Sequence, residues 1–460
     1  MAQAKNKQQT HNLDVSHRNI AGIAGPILLS NAMVPLLGAV DTAVVGHLGT
    51  AEPIGAVAIG ALVFTYVVWA LGFLRSGTAG LSARALGSDD GGEVIAQLGR
   101  AMLLGGAIGV VLFLAQDLIW LLADKAVDAS APVKNLAQDY ITARFWGTPA
   151  QLANFAILGW FMGQGRTRAV LGLQLFLNGL NMLLDLWFVM GLDWGVGGVG
   201  AASSVAEWIT LGLGLLLVKG RIPQLPRHEH ITGFWDSKKW REVGIVNTDL
   251  FVRALFLTTA FVWITIQGAK AGDIVLAANA LMLHVLTITA HGLDGFAIAA
   301  ESLIGQAIGK RDDKKLRLVI RRTFIWAIGA GVTIALLWVL GRDLFLTIMT
   351  NVEDVQTATA ALWHWAIILP LVSLWCFQLD GIYIGLGGTR IMRNAMIICF
   401  AAYIGLWAAL TPIFGNQGLW AAFTIFFGLR ALSLALWLNR TITKSLTPAP
   451  AGGQDAPAHS

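Results

Sequence analysis

Residues 159–168 read GWFMGQGRTR and residues 381–390 read GIYIGLGGTR, with three glycines, a threonine and an arginine at matching positions. The offset is 222 residues. ARALG at 83–87 aligns with GQAIG at 305–309 at the same offset, and GVGAA at 198–202 resembles GLWAA at 418–422 at an offset of 220. One short match carries little weight, because small-residue packing motifs are common in membrane helices. Three in register identify an internal duplication.

The duplicated unit is a set of apolar helices. Hydrophobic residues make up 56% of the 460-residue chain and charged residues 13%, whereas a soluble domain is about one quarter charged. Apolar runs long enough to span a bilayer fall at about 20–46, 54–83, 94–123, 133–163, 168–190 and 196–218, then at 243–268, 274–306, 318–341, 356–386, 391–413 and 417–439. The polar stretch 219–242 divides them six and six. The expected fold is therefore all-α and integral to the membrane, with twelve transmembrane helices in two lobes. An even number of spans per lobe gives both the same orientation, so the lobes are related by a pseudo-twofold axis along the membrane normal. The boundaries are a polar N-terminal segment 1–19, an N-lobe 20–218, a linker 219–242, a C-lobe 243–443 and a tail 444–460 that reads as disordered.

Lys and Arg set the orientation, since basic residues are retained on the cytoplasmic side. With the N terminus inside, the inner loops exceed the outer ones in Lys and Arg by roughly six to one. Both termini and the linker are then cytoplasmic, in a plasma (inner) membrane. This accounts for the net charge of +5 without a nucleic-acid partner. Cys376 and Cys399 both lie in apolar runs, which argues against a disulfide framework.

An acid near the centre of a membrane helix costs about 2.5–3.5 kcal/mol on insertion scales, so it is retained where it is paired or used. Asp41 ends the first apolar run and follows a helix expected to be broken at Pro26 and Pro35, both hinge positions, since Pro35 cannot donate to the carbonyl of Asn31 four residues earlier. Asp185 lies in LQLFLNGLNMLLDLWFV, where Gln174, Asn178, Asn181 and Asp185 fall within an arc of roughly 60° on one helix face. Ser203, Ser204 and Glu207 are candidates to complete that pocket. Carried forward by the repeat offset, Asp41 and Asp185 land on Trp263 and Trp407. Folding the lobe therefore does not require these acids, and a carboxyl that holds a proton or cation is the functional reading. In the second half, Asp249 and Arg253 sit at i,i+4 and read as a neutralised pair. Asp294, Glu301 and Asp380 complete a polar network that is either structural or substrate-binding. Trp69, Trp263, Trp375 and Trp407 fall deep in their segments and suggest an aromatic-lined cavity for an amphipathic cation. His284 and His291 lack a third ligand at tight spacing and read as packed histidines.

VDTAVVGHLG and FLRSGTAGLSARALG, with LNMLLDLWFVMGLDWGVGGVGAA, AANALMLHVLTITAHGLDGFAIAAESLIGQAIG and GLGGTR, resemble the DinF branch of the multidrug and toxic compound extrusion (MATE) family. The resemblance covers nearly the whole membrane region. It implies a V of two six-helix lobes that exports organic, often cationic, compounds in exchange for H⁺ or Na⁺. It also implies a coupling site at Asp41, Asp185 and Asn181, aided by a hydroxyl from Ser203 or Ser204. A proton needs one acid. A dehydrated Na⁺ needs several oxygens, which Asp41, Asn178, Asn181, Asp185 and a serine can supply, so both ions stay open. No cofactor is implied, and the partners are small organic molecules and the bilayer, with the chain acting as a monomer.

A lipid or lipid-linked saccharide flippase needs a basic cavity lining, for which Arg75, Arg144, Arg253 and Arg430 are the candidates. An intramembrane enzyme is disfavoured because no HExxH, GxSxG or P-loop motif is present. A major-facilitator carrier would show a basic loop between helices 2 and 3, where this chain has the acidic GSDDGGE. A channel would show a repeated filter or charge ring, and neither is visible.

Overall fold

The computed structural model describes residues 13–32, 44, 52–126, 129–226, 231 and 233–447, and among these there is no strand. The first half comprises α1 (His17–Ala32), α2 (Glu52–Trp69), α3 (Phe73–Gly87), α4 (Gly91–Leu114), α5 (Gln116–Ala126), α6 (Ala131–Phe145), α7 (Thr148–Gly163), α8 (Thr167–Asp185) and α9 (Gly195–Arg221). The second half comprises α10 (Ser237–Ala271), α11 (Asp273–Gly309), α12 (Asp313–Leu340), α13 (Arg342–Met349), α14 (Glu353–Ala361), α15 (Trp363–Leu386), α16 (Thr389–Phe414) and α17 (Asn416–Leu446).

Ten helical stretches among the described residues are long and apolar enough to cross a bilayer, with α2 and α3 counting as one. The sequence predicts twelve spans, and the two that fall short have identifiable reasons. α1 is described only as far as Ala32, and its expected continuation, with Pro35 and Asp41, lies outside the described residues. The run 133–163 is broken at Trp146 and Gly147 into α6 and α7, with Pro149 in the first turn of α7. Gly147 is required there, since a Cβ would lie 2.7 Å from the Ser204 hydroxyl of α9.

The expected break at Pro26 does not occur, because α1 runs through it. Proline removes the donor that would serve the carbonyl four residues earlier, here Gly22. The Thr167 hydroxyl of α8 donates to that carbonyl at 3.4 Å instead.

The repeated glycines make equivalent contacts in the two halves. A Cβ on Gly159 would lie 2.1 Å from the Arg75 carbonyl oxygen, and one on Gly381 would lie 2.2 Å from that of Ala297. Gly163 and Gly385 approach the carbonyls of Ala79 and Glu301 in the same way, at 2.3 and 2.7 Å. In both halves the glycine-bearing helix thus presses on a carbonyl row, α7 on α3 and α15 on α11, and any side chain would force them apart. α3 and α11 then cross each other where repeat counterparts meet, with a Cβ on Gly305 only 2.5 Å from that of Ala83.

That crossing lies near the end of the molecule that carries the linker. Arg84 of α3 ties it down by donating to the Ile384 carbonyl and pairing with Glu242 of α10, both at 3.3 Å. Ser302 and Gln306 of α11 donate to the Gly163 carbonyl of α7, at 3.0 and 3.2 Å. The linker itself is held by the fully buried Arg100 of α4, which donates to the carbonyls of Gly233 and Phe234 and pairs with Glu93 at 2.8 Å. Further from the linker, α2 and α10 border a crevice of about 180 Å³ lined by Leu62, Thr65, Tyr66, Thr258, Phe261 and Thr265. Among the described residues the halves are tied together at the linker end and border this crevice further along the membrane.

Candidate functional site

The polar stripe predicted on α8 turns inward. Asn178, Asn181 and Asp185 are buried and Gln174 is half-buried. Asn181 Nδ2 donates to the Ser203 hydroxyl of α9 at 3.0 Å, while its Oδ1 is buried and accepts no hydrogen bond among the described residues. A buried amide oxygen without a donor is a costly arrangement, and a cation, water or protonated acid would relieve it. α8 ends at Asp185, which is fully buried, and the chain continues as a π turn over Leu186–Gly191. Such wide turns are frequent at functional sites, where they rotate side chains relative to a regular helix.

The two serine candidates separate. Ser203 faces Asn181, whereas Ser204 donates to the Ala143 carbonyl of α6 at 2.7 Å and holds α6 against α9. Glu207, one turn beyond Ser203, accepts from Asn154 Nδ2 of α7 at 2.8 Å, and the same amide donates to the Glu207 carbonyl. Sequence reasoning missed Asn154, whose only signal is being the one amide in the apolar run LANFAILGW. The Arg144 guanidinium lies 4.1 Å from the Phe64 ring centroid and also attracts Glu207.

In the second half the expected Asp249–Arg253 pair is not formed. Asp249 accepts from Arg393 at 2.7 Å and from the Thr389 hydroxyl at 2.9 Å, both on α16. Arg253 pairs with Asp380 of α15, which also accepts from Arg430 of α17 at 2.8 Å. Each carboxylate is neutralised, but across helices. A buried carboxylate needs two or more donors, and one arginine on its own helix cannot supply them from two directions. Glu301 of α11 is 4% exposed with Oε1 unbonded, and Asp294 lies two turns before it. His284 is exposed, and among the described residues no group of three metal-binding side chains converges.

Of the deep tryptophans, Trp263 and Trp407 are half-buried and in contact with each other. Trp263 and Trp407 pack edge to face with centroids 4.9 Å apart, in a cluster with Tyr403, Phe400, Phe423 and Phe426. Trp375 is 44% exposed against Phe324. Of the arginines a flippase would need, Arg253 and Arg430 are committed to Asp380 and Arg144 to a ring. Neither Arg75 nor Arg144 forms a side-chain hydrogen bond or ion pair among the described residues, and Arg75 also lacks a ring contact there.

A duplicated bundle of helices long and apolar enough to cross a membrane, with a polar cluster buried on α8 and α9, defines a polytopic helical membrane protein. The comparisons agree. A family model described as MatE matches residues 26–187 and again 250–410, one block in each half. DNA damage-inducible protein F of Escherichia coli strain K12 is 36% identical over 430 residues, covering 92% of this chain and 93% of that protein. The chain belongs to the multidrug and toxic compound extrusion family, on its DinF branch. Protein DETOXIFICATION 44 of Arabidopsis thaliana, described as chloroplastic, is 26% identical over 82% of this chain and 74% of its own length. Among solved structures, the Vibrio cholerae MATE transporter VcmN in its bent form superposes with a TM-score of 0.80 at 18% identity, covering 93% of this chain and 97% of that one. A MOP superfamily transporter of Pyrococcus furiosus does so at 0.81 and 19%, over 94% and 97%. The protein is thus an integral membrane protein of a family of small-molecule efflux transporters, which are not enzymes and need no cofactor.

Proposed function

We propose that the chain is a secondary active antiporter that exports organic, cationic or amphipathic compounds in exchange for H⁺ or Na⁺ by alternating access. Twelve spans form lobes 20–218 and 243–443 about a pseudo-twofold axis along the membrane normal. Linker 219–242 and both termini are cytoplasmic. Asp41 and Asp185 exchange the ion, Asn178, Asn181 and Ser203 supply neutral oxygens beside them, and Pro35 is the hinge through which loading of Asp41 alters helix 1. The crevice between α2 and α10 then lies on the outward side, away from the cytoplasmic linker.

The observation that carries this reading is the buried set Asn178, Asn181, Asp185 and Ser203, confined to one half of a duplicated fold. Neutral oxygens beside a carboxylate suit a dehydrated cation as well as a proton. The test is uptake of a cationic dye into everted vesicles, with a pH gradient and a sodium gradient imposed separately. The expected outcome is that one gradient drives uptake and that Asp41→Asn and Asp185→Asn each abolish it. Wild-type rates in both variants would defeat the scheme.

A further inference from the structure

The arginines of the motif GQGRTR have no part in the antiport scheme, and they border a cavity of about 440 Å³ between the start of α1 and the start of α8. Asp14, Arg18, Ile23, Arg166, Arg168 and Ala169 are among the residues that line it. It lies at the linker end, where Arg166 donates to the side chain of Gln224 at 2.9 Å. The buried Ile23 forms an inner wall, while Arg18, Arg166 and Arg168 are exposed. Three guanidinium groups thus share the cavity with one carboxylate. Asp14 is already engaged, accepting from the Ser16 backbone N–H at 2.8 Å, and it forms no ion pair among the described residues. Arg18 and Arg168 carry no side-chain hydrogen bond or ion pair there either. Arg166 gives one N–H to Gln224, which leaves most of its donors for a ligand.

The second half shows the same corner built for packing alone. At the repeat offset Asp14 and Ser16 become Asp236 and Lys238, and the same turn forms, with the Lys238 backbone N–H donating to Asp236 at 2.8 Å. Gly165 becomes Gly387, and both lie in the left-handed region, at φ 70° and 77°. The backbone is duplicated, but the charges are not: Arg18 becomes Trp240 and Arg166 becomes Gly388. The space over Gly387 is taken by Arg84, whose Nη1 would lie 3.0 Å from a Cβ there and which pairs with Glu242. The first-half counterparts of Arg84 and Glu242 are Gln306 and Ile20, so no equivalent ion pair closes the corner between α1 and α8. Packing therefore requires neither Arg18 nor Arg166. Like charges gathered on two helices repel one another unless an anion joins them.

We propose that this cavity binds a phosphate-bearing anion, the headgroup of an anionic phospholipid, between Arg18 of α1 and the pair Arg166 and Arg168 at the start of α8. The planar fork of arginine matches phosphate oxygens in bidentate fashion, and basic pockets between membrane helices on the cytoplasmic side suit such headgroups. The apolar wall favours a lipid as the source. Directly beyond the arginines α1 continues with Ile20, Ala21 and Ile23, and α8 with Ala169, Val170 and Leu171, the level at which glycerol gives way to acyl chains. The bound headgroup ties the start of α1 to that of α8, the helix that ends at Asp185. The leaflet follows from the proposed orientation, whereas the site depends on neither that orientation nor the antiport scheme.

The test uses the full chain in detergent after removal of lipid. Dioctanoyl phosphatidylglycerol, dioctanoyl phosphatidylcholine and inorganic phosphate are titrated separately, and binding is read from the thermal midpoint and from lipid retained in native mass spectrometry. Phosphatidylglycerol should bind at least about tenfold more tightly than phosphatidylcholine, with an affinity that falls as salt rises. The double variant Arg18→Gln, Arg168→Gln should weaken that binding at least about tenfold. Both side chains are exposed, so the midpoint without lipid should not move. Lysine at the same two positions should restore part of the affinity, since it keeps the charge and loses the fork. Arg390→Gln, the exposed counterpart of Arg168 in the second half, should stay within about twofold of wild type. Equal affinity in wild type and the double variant would overturn the site, as would equal binding of the two lipids. Inorganic phosphate that binds as tightly as phosphatidylglycerol and displaces it would overturn the assignment to lipid.

Discussion

At the repeat offset, Asn178, Asn181 and Asp185 of α8 correspond to Phe400, Tyr403 and Trp407 of α16, and Asp41 corresponds to Trp263. In the first half these positions are polar: Asn178, Asn181 and Asp185 are buried on α8, with Asn181 bonded to Ser203 and its amide oxygen without a donor among the described residues, while Asp41 lies outside them. In the second half they are rings in mutual contact, Trp263 with Trp407 at 4.9 Å and Tyr403 with Phe423 and Phe426 at 5.8 and 5.5 Å. The glycine contacts of α7 on α3 and of α15 on α11 match, so two halves with the same glycine packing carry a polar cluster once and an aromatic one once. Aromatic packing rigidifies without needing hydrogen-bond partners, whereas a buried polar cluster is stable in only some occupancy and protonation states. Under the proposed antiport, the half with the polar cluster is the one that responds to the ion.

The sharpest way to break this is to neutralise one member of each cluster. Asp185→Asn should abolish gradient-driven dye export, a loss of at least about a hundredfold, while Trp407→Phe should stay within about threefold because a ring still fills the space. Both are read as initial rates in everted vesicles, with equal amounts of monodisperse protein. Equal losses would mean that the clusters do the same work, and the division of labour between the halves would fall.

The second half's charges are tested through stability. Asp380 neutralises Arg253 and Arg430 together, so Asp380→Asn leaves the buried Arg430 and the half-buried Arg253 without a counter-ion and should cost roughly 3–5 kcal/mol. Thermal unfolding in detergent should show a clear drop in melting temperature. Asp249→Asn should cost less, since Arg393 is one third exposed and can turn to water.

Much of this layout was legible in advance, for reasons that also mark its limits. A duplicated glycine pattern survives because each glycine touches a backbone carbonyl, so the offset could be read from letters alone. The stripe Gln174, Asn178, Asn181 and Asp185 was legible because helical periodicity is local. The partners of Asp249 and Arg253 were not. Periodicity places residues on the same helix face, but which neighbouring helix meets that face is set by packing between segments more than a hundred residues apart. The same holds for Asn154, whose acceptor Glu207 lies on another helix, and for the π turn after Asp185, which has no composition of its own. Pro26 misled because the donor replacing its missing N–H comes from Thr167, far along the chain.

A milder test compares Asn181 with its counterpart. Asn181→Ala removes both the bond to Ser203 and the open oxygen beside the acid. It should lower export by about tenfold, and if Na⁺ is the coupling ion it should raise the sodium concentration for half-maximal rate by a similar factor. Tyr403→Phe removes only a hydroxyl that bonds to nothing among the described residues, and should leave export unchanged and stability equal or slightly higher.

The smallest effects should come from the adjacent serines, and they separate site from scaffold most finely. Ser203 accepts from Asn181 inside the cluster, and Ser204 donates to the Ala143 carbonyl of α6. A neutral hydrogen bond contributes about 0.5–1.5 kcal/mol, so each alanine variant should be modest. Ser204→Ala should lower the melting temperature by a few degrees and leave the rate and ion dependence unchanged, since its bond joins α9 to α6 away from the acids. Ser203→Ala should do the reverse: little change in melting temperature, and a shift of about two- to fivefold in the ion concentration for half-maximal export, because Asn181 loses the acceptor that fixes which way its amide points. If the two variants trade these signatures, the hydroxyl that serves the ion is Ser204, and the bond between Asn181 and Ser203 is only packing.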